Sequence, residues 1–455
     1  MRRLYLVLAA ILACAVLLLG NEVIMAQQGV KLKPVGEPAP QSPIPVEQEA
    51  PEGFTDEPEE DRPVGTPLDP EQDLDASFPQ PNAVFEWAMP PEWFQFKKDL
   101  YEKYGLKVGL SYQMLYQKAS DSLTDDDSAW GQYGLFEGKW ELLNRDRDLM
   151  GSLVWSFDWR STIGGNAQAF NFHLDTGSLW PTDFIHLDWG PWVAQFFWEQ
   201  WFKKDVLVMR LGNQFSSATY DFFRFKDGRT SFTAAPYTLP VSSIPTGPPG
   251  LAANFEWRPI KDSEFYVSGT INDLNAKGGE WVWHRPFRYG QFFYGLEIGH
   301  FWRRGKDDFD HLHLNVFYAD ERDTEPPVRM IESEAGWGFK VLGEKQFGRL
   351  VGFGSYTYNT AKGGGFGTAI ARHAVTAGAV LLDPFGIEGE LALGGVWAEP
   401  IPDELRDQYG LNAYWKILLT PDLWITPGVQ FIFDPSFNED EDLLTIGQFK
   451  FRFFF

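Results

Sequence analysis

From Leu106 to the C-terminus, large apolar residues alternate with polar or small ones. Over 107–117 one face reads Val108, Leu110, Tyr112, Met114, Tyr116 and the other Lys107, Gly109, Ser111, Gln113, Leu115, Gln117. Leu153, Trp155, Phe157 and Trp159 alternate with Val154, Ser156, Asp158 and Arg160, and Leu312, Leu314, Val316 and Tyr318 with His311, His313, Asn315 and Phe317. Phe449, Phe451 and Phe453 likewise alternate with Gln448, Lys450 and Arg452. A period of two is that of an extended strand whose faces meet different surroundings.

Sixteen such segments are expected, near 106–117, 132–143, 151–162, 193–202, 206–215, 251–258, 263–272, 291–302, 309–318, 334–342, 350–358, 372–382, 387–397, 410–419, 423–433 and 443–455. Most run to about 9–13 residues, the length a tilted strand needs to cross a bilayer. Soluble strands are nearer 5–6 residues. The connections alternate between short ones, such as Lys203–Asp205 and Thr420–Asp422, and long ones, such as Ser161–Pro191 and Ser216–Gly250. A soluble sandwich shares the two-faced strands but has no reason to keep that alternation. A membrane barrel has it, with short periplasmic turns, long outside loops and an even strand number. The expected fold is therefore all-β: a transmembrane antiparallel β-barrel of about sixteen strands over residues 106–455, wide enough for an aqueous lumen.

Upstream of the barrel the pattern changes three times. Arg2 and Arg3 followed by the apolar run Leu4–Leu19 and Ile24-Met25-Ala26 read as a signal peptide over residues 1–26. The run is short for a membrane helix, which needs about 20 residues. Cys14 sits in a loose lipoprotein-like context, but apolar residues continue past it, so export without lipidation is the reading taken. Residues 27–89 form an acidic, proline-rich linker: twelve prolines fall between Pro34 and Pro81, and acidic residues outnumber basic ones 13 to 3 over 27–80. That composition predicts a disordered, extended segment across 30–80. Residues 90–105 predict a short amphipathic helix, started by Pro90-Pro91, stopped by Gly105, with Trp93, Phe96, Leu100 and Tyr104 as its apolar face. It is expected to pack at the periplasmic end of the barrel or partly inside its mouth.

Charge and chemistry narrow the function. A net charge of -24 argues against a nucleic-acid partner. Cys14 is the only cysteine, which excludes a disulfide scaffold or a cysteine-ligated metal in the exported chain. There is no His-Glu-x-x-His, phosphate loop or nucleophile elbow, so no enzyme chemistry and no cofactor are expected. Glu388 and Glu390 read as a field-setting pair. His311 and His313 share a face but lack a third ligand in view, so no metal is assigned. Asp125–Asp127, Glu439–Asp442 and Gly363–Gly365 read as solvated turns or loops.

Three stretches resemble the carbohydrate-selective, OprB-like porin family. These are Leu100–Tyr112, where a helix ends in Gly105 and runs into the first strand; Val206–Phe215 with the long loop holding Phe232 and Pro236 after it; and Leu411–Pro435, a hairpin with a Thr-Pro turn. The terminal Phe455 resembles the C-terminal signal of outer-membrane barrels. The resemblance covers roughly residues 92–455 and implies a passive outer-membrane pore for small sugars or other hydrophilic solutes, set in outer-membrane lipid. The acidic linker departs from the family pattern and suggests contact with the cell wall. A structural tether or an outer-membrane enzyme is the other functional class, and monomer and trimer are both compatible with the sequence.

The constriction is expected in Ser216–Gly250, the longest outside loop, which carries Arg224, Lys226, Asp227 and Arg229 beside Tyr220, Phe222 and Phe223. Folded into the lumen, its Arg224 and Arg229 would face inward strand residues Asp158, Arg160, Glu199, Arg210, Glu256 and Arg258 and bind sugar hydroxyls, with aromatic faces for ring CH groups. The alternative is a loop that merely caps the outside.

Overall fold

A computed structural model describes residues 51, 53–54, 74, 77–86, 89–164, 167–215, 220–238, 244–259, 264–277, 279–280, 283–305, 308–322, 334–361 and 371–455. The expected signal peptide and the glycines at 363–365 lie outside the described residues.

Helix α1 (Pro91–Tyr104) leads into sixteen strands: β1 (Leu106–Ala119), β2 (Ser128–Leu143), β3 (Gly151–Thr162), β4 (Gly190–Lys203), β5 (Leu207–Gln214), β6 (Gly250–Trp257), β7 (Phe265–Asp273), β8 (Phe292–Gly305), β9 (Asp308–Ala319), β10 (Gly336–Phe347), β11 (Leu350–Asn359), β12 (Ala371–Leu382), β13 (Gly389–Pro400), β14 (Gln408–Thr420), β15 (Leu423–Phe433) and β16 (Leu443–Phe454). Every neighbouring pair is antiparallel, and β1 pairs with β16, for example Met114 with Phe451, so the sheet closes into a barrel. Closure leaves no unpaired edge, the condition for a sheet to sit in lipid.

The side-chain parity is the one the alternation dictates. Along β1, Lys107, Gly109, Ser111, Gln113, Leu115 and Gln117 are buried inside, while Leu110 and Tyr116 are exposed outside. On β9, His311, His313 and Asn315 face in and Leu312, Leu314 and Val316 face out. The outward row is the apolar belt a bilayer requires.

Gly105 ends α1 in the left-handed region (φ 68), its N–H donating to the Tyr101 carbonyl at 2.8 Å, and turns the chain directly into β1. The helix presents a different face from the expected one. Phe94, Lys97 and Tyr101 are buried, whereas Phe96 and Tyr104 are about half exposed. Both sets of residues recur at three- and four-residue spacing, and the charged Lys97 masked the true contact face. Its ammonium donates to the Ser77 carbonyl (2.8 Å), the Ser77 hydroxyl (2.6 Å) and the Phe455 carbonyl (3.3 Å), and lies 4.5 Å from the Phe78 ring centre. Such contacts replace the water a buried ammonium loses.

The last part of the stretch expected as linker packs on the barrel at the short-turn end. Phe54, Leu74 and Phe78 are buried with Phe94 and Tyr101, and a Cβ on Gly109 would meet Leu74 at 3.1 Å. The Gln80 N–H donates to the Pro421 carbonyl and that of Val84 to the Leu418 carbonyl, tying this segment to the β14–β15 turn. Its apolar residues, few against the prolines and acids, suffice for a local anchor. Most of residues 27–73 lies outside the described residues.

Candidate functional site

The β5–β6 loop enters the barrel. Between residues 220 and 238 nearly every side chain is buried, including Phe222, Phe223, Phe225, Phe232 and Tyr237. Phe232 stacks on Tyr237 at 4.3 Å and meets Tyr414 of β14 edge-on at 4.8 Å, while Phe223 lies 4.9 Å from Phe353 of β11. The facing wall makes room with small residues. Ala374 and Ala392 border this cluster, and a Cβ on Gly394 would come within 2.8 Å of the Tyr237 ring.

Charged groups hold the loop to opposite walls. At one end Asp221 accepts from Lys340 Nζ (2.8 Å) and Asn315 Nδ2 (2.9 Å), and Lys226 Nζ donates to the Tyr220 and Asp221 carbonyls. Burial disfavours the Asp221 charge, but Lys340 and Lys226 outweigh it and hold the carboxyl well below the usual range. Burial pushes the Lys226 ammonium down to about 8, with Asp221 opposing the shift. At the other end Lys450 Nζ of β16 donates to the carbonyls of Gly228 (2.9 Å) and Ser231 (2.7 Å). Ser231 Oγ donates to Glu390 Oε2 at 3.0 Å, and Glu390 also accepts from Tyr414 (2.6 Å) and Lys416 (3.0 Å). The loop thus runs from the β9–β10 wall to the β13–β16 wall, inward rather than as an outside cap.

A second loop, between β3 and β4, also inserts, and the strand pattern gave no warning of it. It contains the short helix α2 (Phe172–Thr176) and buries Phe170, Phe172, Leu179, Trp180, Phe184 and Ile185. The Thr182 carbonyl accepts from Gln117 Nε2 (3.2 Å) and Gln430 Nε2 (2.7 Å), and the Ala235 N–H donates to Pro181 O at 2.9 Å, joining the two inserted loops. Gln448 Oε1 accepts from Gln430, Thr233 and Gln117, and Gln430 Nε2 also reaches Thr233 Oγ1 at 3.1 Å, so Gln430 is the wall side chain that touches both loops. The density of apolar residues in a connection expected to face solvent was the available signal.

The eight residues named from sequence all face the interior but divide into two kinds. Arg224, Arg210 and Glu256 keep 13%, 11% and 22% side-chain exposure. Arg229, Asp158, Glu199 and Arg258 fall to 3%, 0%, 4% and 5%, with Arg160 between at 10%. Arg224 donates to Gln346 Oε1 at 3.1 Å and lies 4.2 Å from the Phe309 ring centre. Arg229 Nε donates to Asp227 at 2.8 Å, shaping the loop from within. Arg160 pairs with Asp158 and donates to the Ile185 carbonyl at 3.0 Å, bracing the second loop. Glu199 is held between Lys139 (3.0 Å) and Arg210 (2.7 Å), and Glu256 pairs with Arg258 at 3.0 Å. The sequence reading left out Lys416 and took Glu390 with Glu388. Glu388 instead lies in the turn before β13, and Glu390 partners Lys416, both retaining some exposure.

A family model described as "Carbohydrate-selective porin, OprB family" matches residues 366–455. That region holds β12–β16, the wall on which the β5–β6 loop docks. Among solved structures, Pseudomonas putida OprB at high pH is 13% identical with a TM-score of 0.62, covering 81% of this chain and 99% of that one. The low-pH structure of the same protein is 10% identical, TM-score 0.49, covering 83% and 99%, and a variant of the Rh. blastica porin is 9% identical, TM-score 0.45, covering 77% and 100%. No curated protein matches the chain. The C-terminal strands thus match the carbohydrate-selective OprB porin family, and the barrel as a whole shares the fold of P. putida OprB.

Proposed function

We propose that this porin sits in the outer membrane with its short turns periplasmic and passes small uncharged carbohydrates by diffusion past the inserted β5–β6 loop. The observation that carries this reading is that loop itself: residues 220–238 cross the interior with aromatic rings and paired charges side by side. Neutral sugars combine hydroxyl groups with apolar ring faces. Charged hydrogen-bonding groups suit the first and aromatic faces the second. Arg224, Arg210, Glu256, Glu390 and Lys416 retain the exposure needed to touch a solute. The more buried Arg229, Asp158, Arg160, Glu199 and Arg258 set the shape of the passage. The match of the C-terminal strands to a carbohydrate-selective family supports the solute class.

Passage requires weak, distributed contacts rather than one tight site. The role therefore asks nothing of bond-breaking chemistry, and the part-exposed carboxylates Glu256 and Glu390 each answer to a cationic partner. The segment before α1, anchored at the short-turn end, supports an extension toward the cell wall.

The test is current block in a planar bilayer together with liposome swelling. Mono- and disaccharides should enter liposomes faster than anionic solutes of equal size and should reduce ion current in a saturable way. Changing Arg224 and Arg229 together to Ala should raise ion conductance and weaken sugar block. Equal entry of neutral and anionic solutes, with both quantities unmoved in the double variant, would overturn the assignment of the loop as the constriction.

A further inference from the structure

His311 and His313 stand two residues apart on the inner face of β9, both about 1% exposed. The sequence offered no third ligand because that ligand lies on the neighbouring strand. Glu297 of β8 is equally buried, and one donor atom from each of Glu297, His311 and His313 lies within 4.8 Å of the others. The imidazole rings are fixed by an aromatic shell: Phe301 stacks on His311 at 4.4 Å and Phe222 meets it edge-on at 4.7 Å.

With His311 neutral, the hydrogen bonds of this group do not close. Tyr266 has one hydroxyl proton but faces two acceptors, Glu297 Oε1 and, at 2.9 Å, His311 Nε2. If Tyr266 donates to Glu297, then His311 Nε2 must carry its own hydrogen, and a neutral ring then leaves Nδ1 bare toward Glu344 Oε2, 3.5 Å away. If Nδ1 carries the hydrogen, one close contact around Tyr266 has none. The Nδ1 atoms of both histidines and both Glu344 oxygens make no hydrogen bond, although all are buried. Unsatisfied polar atoms in a buried cluster are costly, so each asks for an explanation.

We propose that Glu297, His311 and His313 bind a divalent transition-metal ion, with zinc as the cation whose preferred donors these are. The ion would take Glu297 Oε1, His311 Nε2 and His313 Nδ1, replacing the hydrogen bonds that the Tyr266 hydroxyl makes to the first two and leaving that oxygen as a fourth donor beside it. The opposite nitrogens then carry hydrogens, and each already faces a carboxylate. His311 Nδ1 faces Glu344 at 3.5 Å, and His313 Nε2 faces Asp221 at 3.3 Å. A carboxylate behind each ligating imidazole is the arrangement that fixes tautomer and ring orientation in metal sites. Because Asp221 belongs to the inserted loop, the ion would fasten the root of that loop to β8 and β9.

Chelator-stripped full-length protein in detergent, titrated with zinc chloride by calorimetry, should bind one equivalent with a Kd below about 10 μM. His311→Gln/His313→Gln should lose this binding. Glu344→Gln should weaken it by about 10–100-fold, the usual effect of removing such a supporting carboxylate. Absence of saturable binding, or the same affinity in the double variant, overturns the proposal. If that variant fails to give the compact, heat-modifiable band of a folded barrel on a gel, X-ray absorption of zinc on the wild-type protein decides. Two imidazoles in the first coordination sphere support the site; one or none overturns it.

Discussion

Lys450 tethers the inserted β5–β6 loop at two points, and its removal tests how the loop is held. In Lys450→Met the methylene volume is largely kept, but two charge-assisted hydrogen bonds, to Gly228 O at 2.9 Å and Ser231 O at 2.7 Å, disappear. Bonds of this kind contribute about 1.5–3 kcal/mol each, so the pair sums to about 3–6 kcal/mol, and the two carbonyls are left buried without this donor. Other tethers remain: Arg452 lies 3.6 Å from Asp227, Thr233 donates to Gln448 at 2.8 Å, and Phe232 keeps its ring contacts. The loop should therefore detach intermittently rather than fall away. With about 3 kcal/mol lost, the detached population rises by about a hundredfold, since about 1.4 kcal/mol is tenfold. Single-channel recordings should show excursions to a higher conductance that the wild type lacks, with sugar block weakened during them. Lys118→Met serves as the control, because its partner Asp127 is half exposed and such surface pairs contribute little. Wild-type noise and mean conductance in a correctly folded Lys450→Met barrel would refute this account of the tether.

Three further outcomes follow from the same geometry. Phe232→Ala removes a fully buried ring from the cluster with Tyr237 and Tyr414, a change that costs about 3–5 kcal/mol locally, and should lower the apparent melting temperature and reduce discrimination between sugars in liposome swelling. Asp221 is depressed below its unfolded value of about 3.9, so its contribution is complete above that pH and is lost as pH falls through the lower folded value. In metal-free protein, loss of the Asp221 contacts should raise conductance only below about pH 4, with that step missing in Asp221→Asn. Deletion of residues 27–79 removes Phe54, Leu74, Phe78 and Ser77 from around Lys97, and should lower thermal stability as measured by loss of heat-modifiable migration.

The barrel was legible because its code is local. A strand that separates lipid from an interior must alternate, so β1, β9 and β16 declare both their existence and which residues face inward. The length of the β5–β6 connection pointed to insertion for a related reason: a segment that long with Phe222, Phe223 and Phe232 has apolar surface to bury. What escaped were choices between equivalent local patterns. Helix α1 carries two stripes with helical spacing, and only the Phe54 and Phe78 rings around Lys97 decide which is buried. The β3–β4 loop has apolar residues without periodicity, so only their density, and no pattern, spoke for a plug over a cap. Glu297 joins His311 and His313 through the pairing of β8 with β9, in which Gly299 sits opposite His313 and leaves the space that the Tyr266 ring fills. Register of that kind belongs to two strands at once.

The balance of charge inside the barrel bears on what it admits. The chain carries a net charge of -24, yet six of the inward acids each face a cation. Asp158 answers Arg160, Glu199 answers Lys139 and Arg210, Glu256 answers Arg258, Asp227 answers Arg229, Glu390 answers Lys416 and Asp221 answers Lys340. A ring of unmatched carboxylates would make the lumen a cation path, and unmatched arginines would draw anions. Pairs cancel at the distance of a passing ion but still present donors and acceptors to a molecule in contact. A neutral solute rich in hydroxyls meets hydrogen-bonding groups along the whole wall, whereas an ion meets little net field to repay the loss of its water. On this argument, Lys416→Met, which leaves Glu390 without its 3.0 Å cationic partner, should shift reversal potential toward cation selectivity while sugar swelling rates change less than twofold. A reversal potential unchanged from wild type would mean that the matched charges do not set the field of the passage.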